Sequence, residues 1–267
     1  VTQAELAAHP GLCQFLDFLG ARVKYKKTLD EGVFIKRYKR FFADIAWQGQ
    51  TLIAHVPNTG SMKGINNPGQ PCLFSHSDNP ERKLKQTLEM IKALSGAWVG
   101  VNTATPNAMV RETLEKIVAT AAGESVPKNW SHWQGFSAVK AEHKISAGTR
   151  LDFSLSRVSS NNMHFIEVKN VTMAEGNRAL FPDSETVRGQ KHLLALMKLI
   201  DEGHTAEIIF TIQRADCESF SPAHDIDAEY GRLLRQAYDR GVRITPLVVT
   251  LSPDEAVLSE RLVPVSF

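Results

Sequence analysis

LDFSLSRVSSNNMHFIEVKNVT, residues 151–172, decides how this chain is read. Two β-rich runs flank a polar turn, SSNN at 159–162. Strand side chains alternate, so Leu151, Phe153 and Leu155 share one face and Asp152, Ser154 and Ser156 the other. By the same rule Glu167 and Lys169 share a face. A hairpin symmetric about residues 160 and 161 sets Asp152 opposite Lys169 and Ser154 opposite Glu167. Opposite residues point to the same side of a sheet, so Asp152, Glu167 and Lys169 converge. A slip of one residue scatters them.

Two carboxylates converging where strands cross make an oxygen site for a hard divalent cation. Mg²⁺ (or Mn²⁺) suits such a site, because Mg²⁺ takes one or two carboxylates and completes its shell with water and substrate phosphate. Asp152 and Glu167 are the expected side-chain ligands, and the carbonyl of Val168 is a third. Such an ion lowers the pKa of water and polarises a phosphoryl oxygen. Lys169 is placed to orient that water or to stabilise charge developing on phosphorus. Glu142, near the end of the preceding strand candidate, is a further acid. Spacing alone leaves a structural salt bridge from Lys169 to either acid open.

Outward from this hairpin, the pattern predicts a helix over 105–123, with Pro106 near its start and Gly123 after it. Strands follow at 136–143, 151–157 and 164–171, then a helix at 185–200, a strand at 206–214, a helix at 225–241 and a strand at 242–251 interrupted by Pro246. Neighbouring strands followed by helical crossovers imply a mixed sheet with helices on both faces. The WSHW segment, 130–133, is expected to pack one domain on the other.

The front of the chain differs. VFIKRYKRFFADIAW, TLIAHV, QPCLFS and AWVGVN are short β-rich runs separated by Asn, Gly and Pro clusters, while KLKQTLEMIKAL fits helix and strand alike. Some five strands in this span suggest a small OB-like barrel, a common nucleic-acid-binding form. Residues 3–20 read as a short helix. Residues 1–103 carry 13 Lys and Arg against 8 Asp and Glu; residues 104–267 carry 18 against 21. A basic front suits phosphates and an acidic back suits a metal.

Composition sets bounds on class. Of 267 residues, 43% are hydrophobic and 22% charged, enough to bury a real core. Cys13, Cys72 and Cys217 follow no ligand spacing, which argues against a disulfide scaffold or zinc ribbon. The first residues lack the basic start and apolar core of a signal peptide, and no run is apolar enough to span a membrane. A cytoplasmic protein is expected.

Long motifs then occur in order: RYKRFFADI, HVPNTGSMKG, SDNPERK, WVGVNTATPN, TRLDFSL, IEVKNVTM, FPDSETVRGQKHL and FTIQRAD. Together they resemble the sugar fermentation stimulation (SfsA) family over about residues 32–250. The resemblance implies an α/β (α+β) two-domain chain: an N-terminal OB-fold at 32–103 and a C-terminal mixed-sheet, restriction-endonuclease-like PD-(D/E)XK domain at 104–267. Residues 1–31 are an expected helical extension. The superfamily's catalytic pattern falls on Asp152 and on Glu167-Val168-Lys169, with Leu151 in place of proline. The family is described as DNA-binding and linked to regulation of sugar, notably maltose, utilisation. Nuclease activity follows from the fold alone, so a non-catalytic DNA-binding regulator is the alternative.

In the basic stretch, Arg37, Lys39 and Arg40 are expected on phosphates, whereas Phe41 and Phe42 are read as barrel core. Asn58, Thr59 and Ser61 are candidate phosphate hydrogen-bonders, with Lys63, Arg82 and Lys83 adding charge. Arg150, Arg188, Lys191, His192, Gln213 and Arg214 sit at element ends, where they would reach the scissile phosphate or orient the carboxylates. For His192 alone, a surface or half-buried place on its helix is the plainer reading. The expected partner is nucleic acid, DNA first, with homo-oligomerisation left open.

Overall fold

The long strand Ser160–Val171 (β10) lies inside a seven-stranded sheet, next to its central strand. The sheet order is β1 (Arg22–Lys24), β16 (Glu255–Leu262), β15 (Arg243–Leu251), β13 (Thr205–Ile212), β10, β9 (Thr149–Arg157), β8 (Ala138–Ser146). β10, β13 and β15 run parallel; the outer pairings are antiparallel. This computed structural model describes residues 21–121 and 124–267. The helix expected over 3–20, Cys13 and the Gly123 stop lie outside those residues.

Alternation along β13 builds two cores. Ile208, Phe210 and Ile212 meet α2 (Val187–Asp201) and α3 (Ala228–Asp239), while Ile209 faces α1 (Ala104–Ala119). Trp130 and Trp133 are fully buried in the α1-side core. WSHW is therefore part of the second domain's interior, not an interdomain wedge. Of the expected helical extension, residues 21–31 are described: Arg22–Lys24 form an edge strand on β16, and Asp30 and Glu31 begin a barrel strand paired with Phe74 and Leu73. β15 continues through Pro246, which pairs with Phe210 of β13, and its β16 side has a register shift between Leu247 and Val249.

The front domain is a closed barrel. β2 (Asp30–Tyr38), β3 (Phe42–Trp47), β4 (Gln50–His55), β5 (Pro71–His76), β6 (Gln86–Lys92) and β7 (Trp98–Gly100) pair in the order β4-β3-β2-β5-β6-β7, and β4 meets β6 to close it. The ambiguous KLKQTLEMIKAL run is thus a strand over most of its length. Phe34, Ala43, Ile45, Phe74 and Leu88 fill the barrel. Phe41 does not: it is 43% exposed, and Phe42 stacks on Tyr38 at 5.6 Å.

Polar contacts centred on Asp183 and Asp216 help join the domains. Asp183 Oδ2 accepts from Met62 N (3.0 Å) and Ser61 Oγ (3.1 Å). Gly60 must be glycine for this approach, because a Cβ there would stand 2.8 Å from Asp183 Oδ2. On the other side Ser95 Oγ donates to Asp216 Oδ2 (2.6 Å), which also receives Arg214 Nη2 (2.6 Å). Asp183→Ala strips both bonds at the first contact and is expected to cost about 2 kcal/mol. Urea unfolding measures it, and an unchanged midpoint would show that the contact adds no stability.

Candidate metal site and nucleic-acid surface

The β9–β10 hairpin turns two residues earlier than symmetry suggests, at Val158–Ser159. Ser160 pairs with Arg157, then a bulge shifts β10, so that His164, Phe165 and Ile166 pair with Leu155, Ser154 and Phe153. Continuing this register by one step puts Asp152 opposite Glu167, two residues from the expected partner Lys169. A shift of two preserves parity; Asp152 nevertheless bonds Asn107 of α1 while Glu167 bonds His192 of α2, and the two carboxylates are close enough to repel. Pairing stops there, and Asp152 Oδ2 takes the next free amide, Val168 N, at 2.7 Å. Leu151 lies beyond this fork and packs in the α2/α3 core, whereas Phe153 and Leu155 pack on the α1 side.

Asp152 Oδ1 accepts from Asn107 Nδ2 of α1 at 2.8 Å. Lys169 Nζ donates to Glu167 Oε1 at 2.6 Å, and His192 Nδ1 bonds the same oxygen. Glu167 Oε2 is buried without a partner. Burial first, then repulsion from Glu167, pushes the Asp152 carboxyl up to about 6, against the Val168 amide, Lys169 and Asn107. Burial would raise Glu167 too, but Lys169 and His192 outweigh it and hold that carboxyl below its usual value.

Helix ends place His192. Asp227 caps α3 through Tyr230 N (2.8 Å) and also receives Thr186 N (2.9 Å) and Gln190 Nε2 (2.9 Å), tying α2 to α3. Gly189 lets the helices close, since a Cβ there would lie 3.0 Å from the Tyr230 ring. His192, one turn on, is 4% exposed, buried against Glu167. Its helix face alone did not single it out; the GQKHL motif contained it. Asn107, in WVGVNTATPN, was likewise missed as a partner of Asp152.

Other expected site residues fall elsewhere. Glu142 is exposed, and its carboxylate sits on Arg150 Nη1 at 3.0 Å, so neither joins the cluster. Gln213 and Arg214 belong to the domain joint: Gly100 N donates to Gln213 O (2.9 Å), and Arg214 holds Asp216. Arg188 is exposed at the start of α2.

The donors of the barrel loop face protein. Arg37 donates to the carbonyls of Arg40, Asn58 and Gly60, and Asn58 Oδ1 accepts from Gly60 N. Ser61 is on Asp183, and Arg82 Nη2 is on Thr87 Oγ1 at 2.6 Å. Arg37, Asn58, Ser61 and Arg82 therefore hold the fold, while Lys39, Arg40, Thr59, Lys63 and Lys83 are exposed. Lys39 and Arg40 form the β2–β3 tip with positive φ of 45° and 65°. That tip lines a cavity of about 420 Å³ with Thr59, Gly60 and Ser184. Thr59 and Gly60 also line a second cavity of about 180 Å³ that reaches Asn170, the residue after Lys169.

The description "Sugar fermentation stimulation protein RE domain" matches residues 104–255, and "SfsA N-terminal OB domain" matches 35–101. The chain belongs to the sugar fermentation stimulation protein family. A protein from Bdellovibrio bacteriovorus, named a sugar fermentation stimulation protein homolog, is 62% identical over 91% of this chain and 99% of its own length. One of the same name from Geotalea uraniireducens is 44% identical over 85% and 93%. The solved SfsA of Pyrococcus furiosus, in complex with Ca²⁺, superposes with a TM-score of 0.78 over 92% of this chain and 98% of its own. At 22% identity that likeness speaks to the fold. No helix among the described residues is long and apolar enough to cross a membrane.

Among the described residues no three His, Cys, Asp or Glu side chains are grouped to hold an ion. The donor set here is two carboxylates. It fits a hard cation that keeps water and substrate oxygens, because Glu167 Oε2 is bare and Asp152 is crowded by like charge.

Proposed function

We propose that this sugar fermentation stimulation family member is a divalent-cation-dependent phosphodiesterase acting on nucleic acid, DNA first. One observation carries the reading: the Asp152 and Glu167 carboxylates are close enough to repel, Glu167 Oε2 is buried and bare, and Lys169 stands on Glu167. Asp152, Glu167 and the carbonyl of Val168 would hold Mg²⁺ or Mn²⁺. Bound there, the ion supplies Lewis-acid polarisation of a phosphoryl oxygen. Asn107 and the Val168 amide hold the Asp152 carboxylate in one orientation, and His192 does the same for Glu167. Lys169 presents a cation where charge develops on phosphorus. The Ca²⁺ complex of the Pyrococcus relative supports a hard-cation site, since Ca²⁺ also selects oxygen ligands.

The two cavities sharing Thr59 and Gly60 support a path for the strand from the β10 site to the Lys39–Arg40 tip. Regulation of sugar utilisation would act through that nucleic acid. A non-catalytic DNA-binding regulator is favoured by one fact: Glu167 Oε1 is already engaged by Lys169 and His192. Labelled single- and double-stranded DNA and RNA, incubated with Mg²⁺ or Mn²⁺, separate the two. Binding without cleavage of any substrate would leave only the regulator. The binding surface has its own test. Lys39→Ala/Arg40→Ala is expected to flatten the slope of log affinity against log salt by about one to two. An unchanged slope would remove the barrel tip from the interface. Arg37→Ala should instead lower stability, because its guanidinium ties loop carbonyls.

A further inference from the structure

A cavity of about 630 Å³ opens near the N-terminal ends of β13 and β15, lined by His132, His164, Arg157 and Arg243. It lies at that end of the sheet, with Tyr238 of α3 also among its lining residues, and the site proposed above does not use it. Beneath it Glu207 is wholly buried. Its carboxylate receives Trp133 Nε1 (2.7 Å), His164 Nε2 (3.0 Å), His132 Nε2 (3.1 Å) and Thr245 Oγ1. An ionised carboxylate only accepts, so both imidazoles carry hydrogen on Nε2. His164 Nδ1 lies 2.9 Å from Thr205 Oγ1, whereas His132 Nδ1 has no partner among the described residues.

The cations of this cavity are also free. Among the described arginines only Arg40, Arg157, Arg188 and Arg243 make neither a side-chain hydrogen bond nor an ion pair, and two of these four line the cavity. Arg157 lies over the Phe136 ring at 3.7 Å, which orients the guanidinium. No carboxylate is among the lining residues. Strands β13 and β10 separate Arg243 from Arg157, three spacings or about 14 Å at the backbone. Two long side chains across such a gap enclose a small molecule, and the volume is that of a metabolite pocket.

We propose that this cavity binds a small, hydroxyl-bearing organic phosphate. Arg157 and Arg243 grip the phosphate, and His132 Nδ1 accepts from a ligand hydroxyl. Glu207 acts as the buried brace that aims both histidines.

Calorimetric titration with ribose 5-phosphate tests this, with inorganic phosphate and a short oligonucleotide as comparison probes. Saturable binding of ribose 5-phosphate is expected, tighter than inorganic phosphate. Arg157→Gln or Arg243→Gln should weaken it about tenfold or more. Arg232→Gln, which removes a surface cation paired with Glu229, should not. Absence of saturable binding, equal loss in the Arg232 variant, or inorganic phosphate binding as tightly would overturn the proposal. So would a response of the Arg157 and Arg243 variants confined to the oligonucleotide. Folding of each variant is checked by its melting curve.

Discussion

Asp152→Asn is expected to abolish Mn²⁺-dependent cleavage while leaving the metal-free protein at least as stable as the wild type. The Asp152 carboxyl is pushed up to about 6 by burial and by Glu167. At neutral pH its ionised form is therefore unfavourable without a cation, and an amide of the same shape relieves that repulsion. The sign follows from linkage: a carboxyl raised above its unfolded value opposes folding once pH exceeds that value. Adding Mn²⁺ should raise the wild-type melting temperature and not that of the variant. Affinity for Mn²⁺ should fall by at least the ~10–100-fold that even an outer partner of a metal ligand costs.

Lys169→Ala should behave differently. It removes the cation but neither carboxylate, so Mn²⁺ stabilisation persists while the cleavage rate drops by about 10²–10³, the range for one electrostatic group at a transition state. Loss of Mn²⁺ stabilisation without any cleavage in the wild type would support the regulator. Full cleavage by Lys169→Ala would remove the lysine from the chemistry.

The second large effect is expected at Glu207→Gln, a loss of about 3 kcal/mol at pH 7, because breaking a buried charge network strands its partners. His132, His164, Trp133 and Thr245 all converge on that carboxylate. Although burial favours the neutral acid, the two histidines outweigh it and hold Glu207 well below its ordinary 4.5. A depressed carboxyl adds stability above its unfolded pKa and loses it as pH falls toward the folded one. Wild-type stability should therefore drop more steeply than that of the variant below about pH 5. Urea unfolding at stepped pH measures the difference, and parallel curves would refute the ionised brace.

Some of this was readable in the chain. The barrel strands were announced by turn clusters and alternation, and the paired site residues by parity in FIEVKNV. The bulge after Ser160 was not readable, because a polar turn such as SSNN permits several registers. The β1 edge was missed for another reason: three residues at 22–24 carry no periodicity of their own. Arg37 and Arg40 look alike in VFIKRYKRFF, yet one guanidinium faces three carbonyls and the other faces solvent.

The sequence by itself determined which side chains share a face where a strand runs regularly, because alternation is a property of the local backbone. That rule placed Glu167 with Lys169 on β10, whereas at the fork Leu151 leaves the face expected with Phe153 and Leu155 for the α2/α3 core. Only the tertiary structure decided which polar groups remain free. Asp183 takes the Ser61 and Met62 donors, Glu167 takes His192, and Glu207 takes two histidines and a tryptophan. The physical reason is that a buried hydrogen-bonding group must find a partner, and that partner can lie anywhere in the chain.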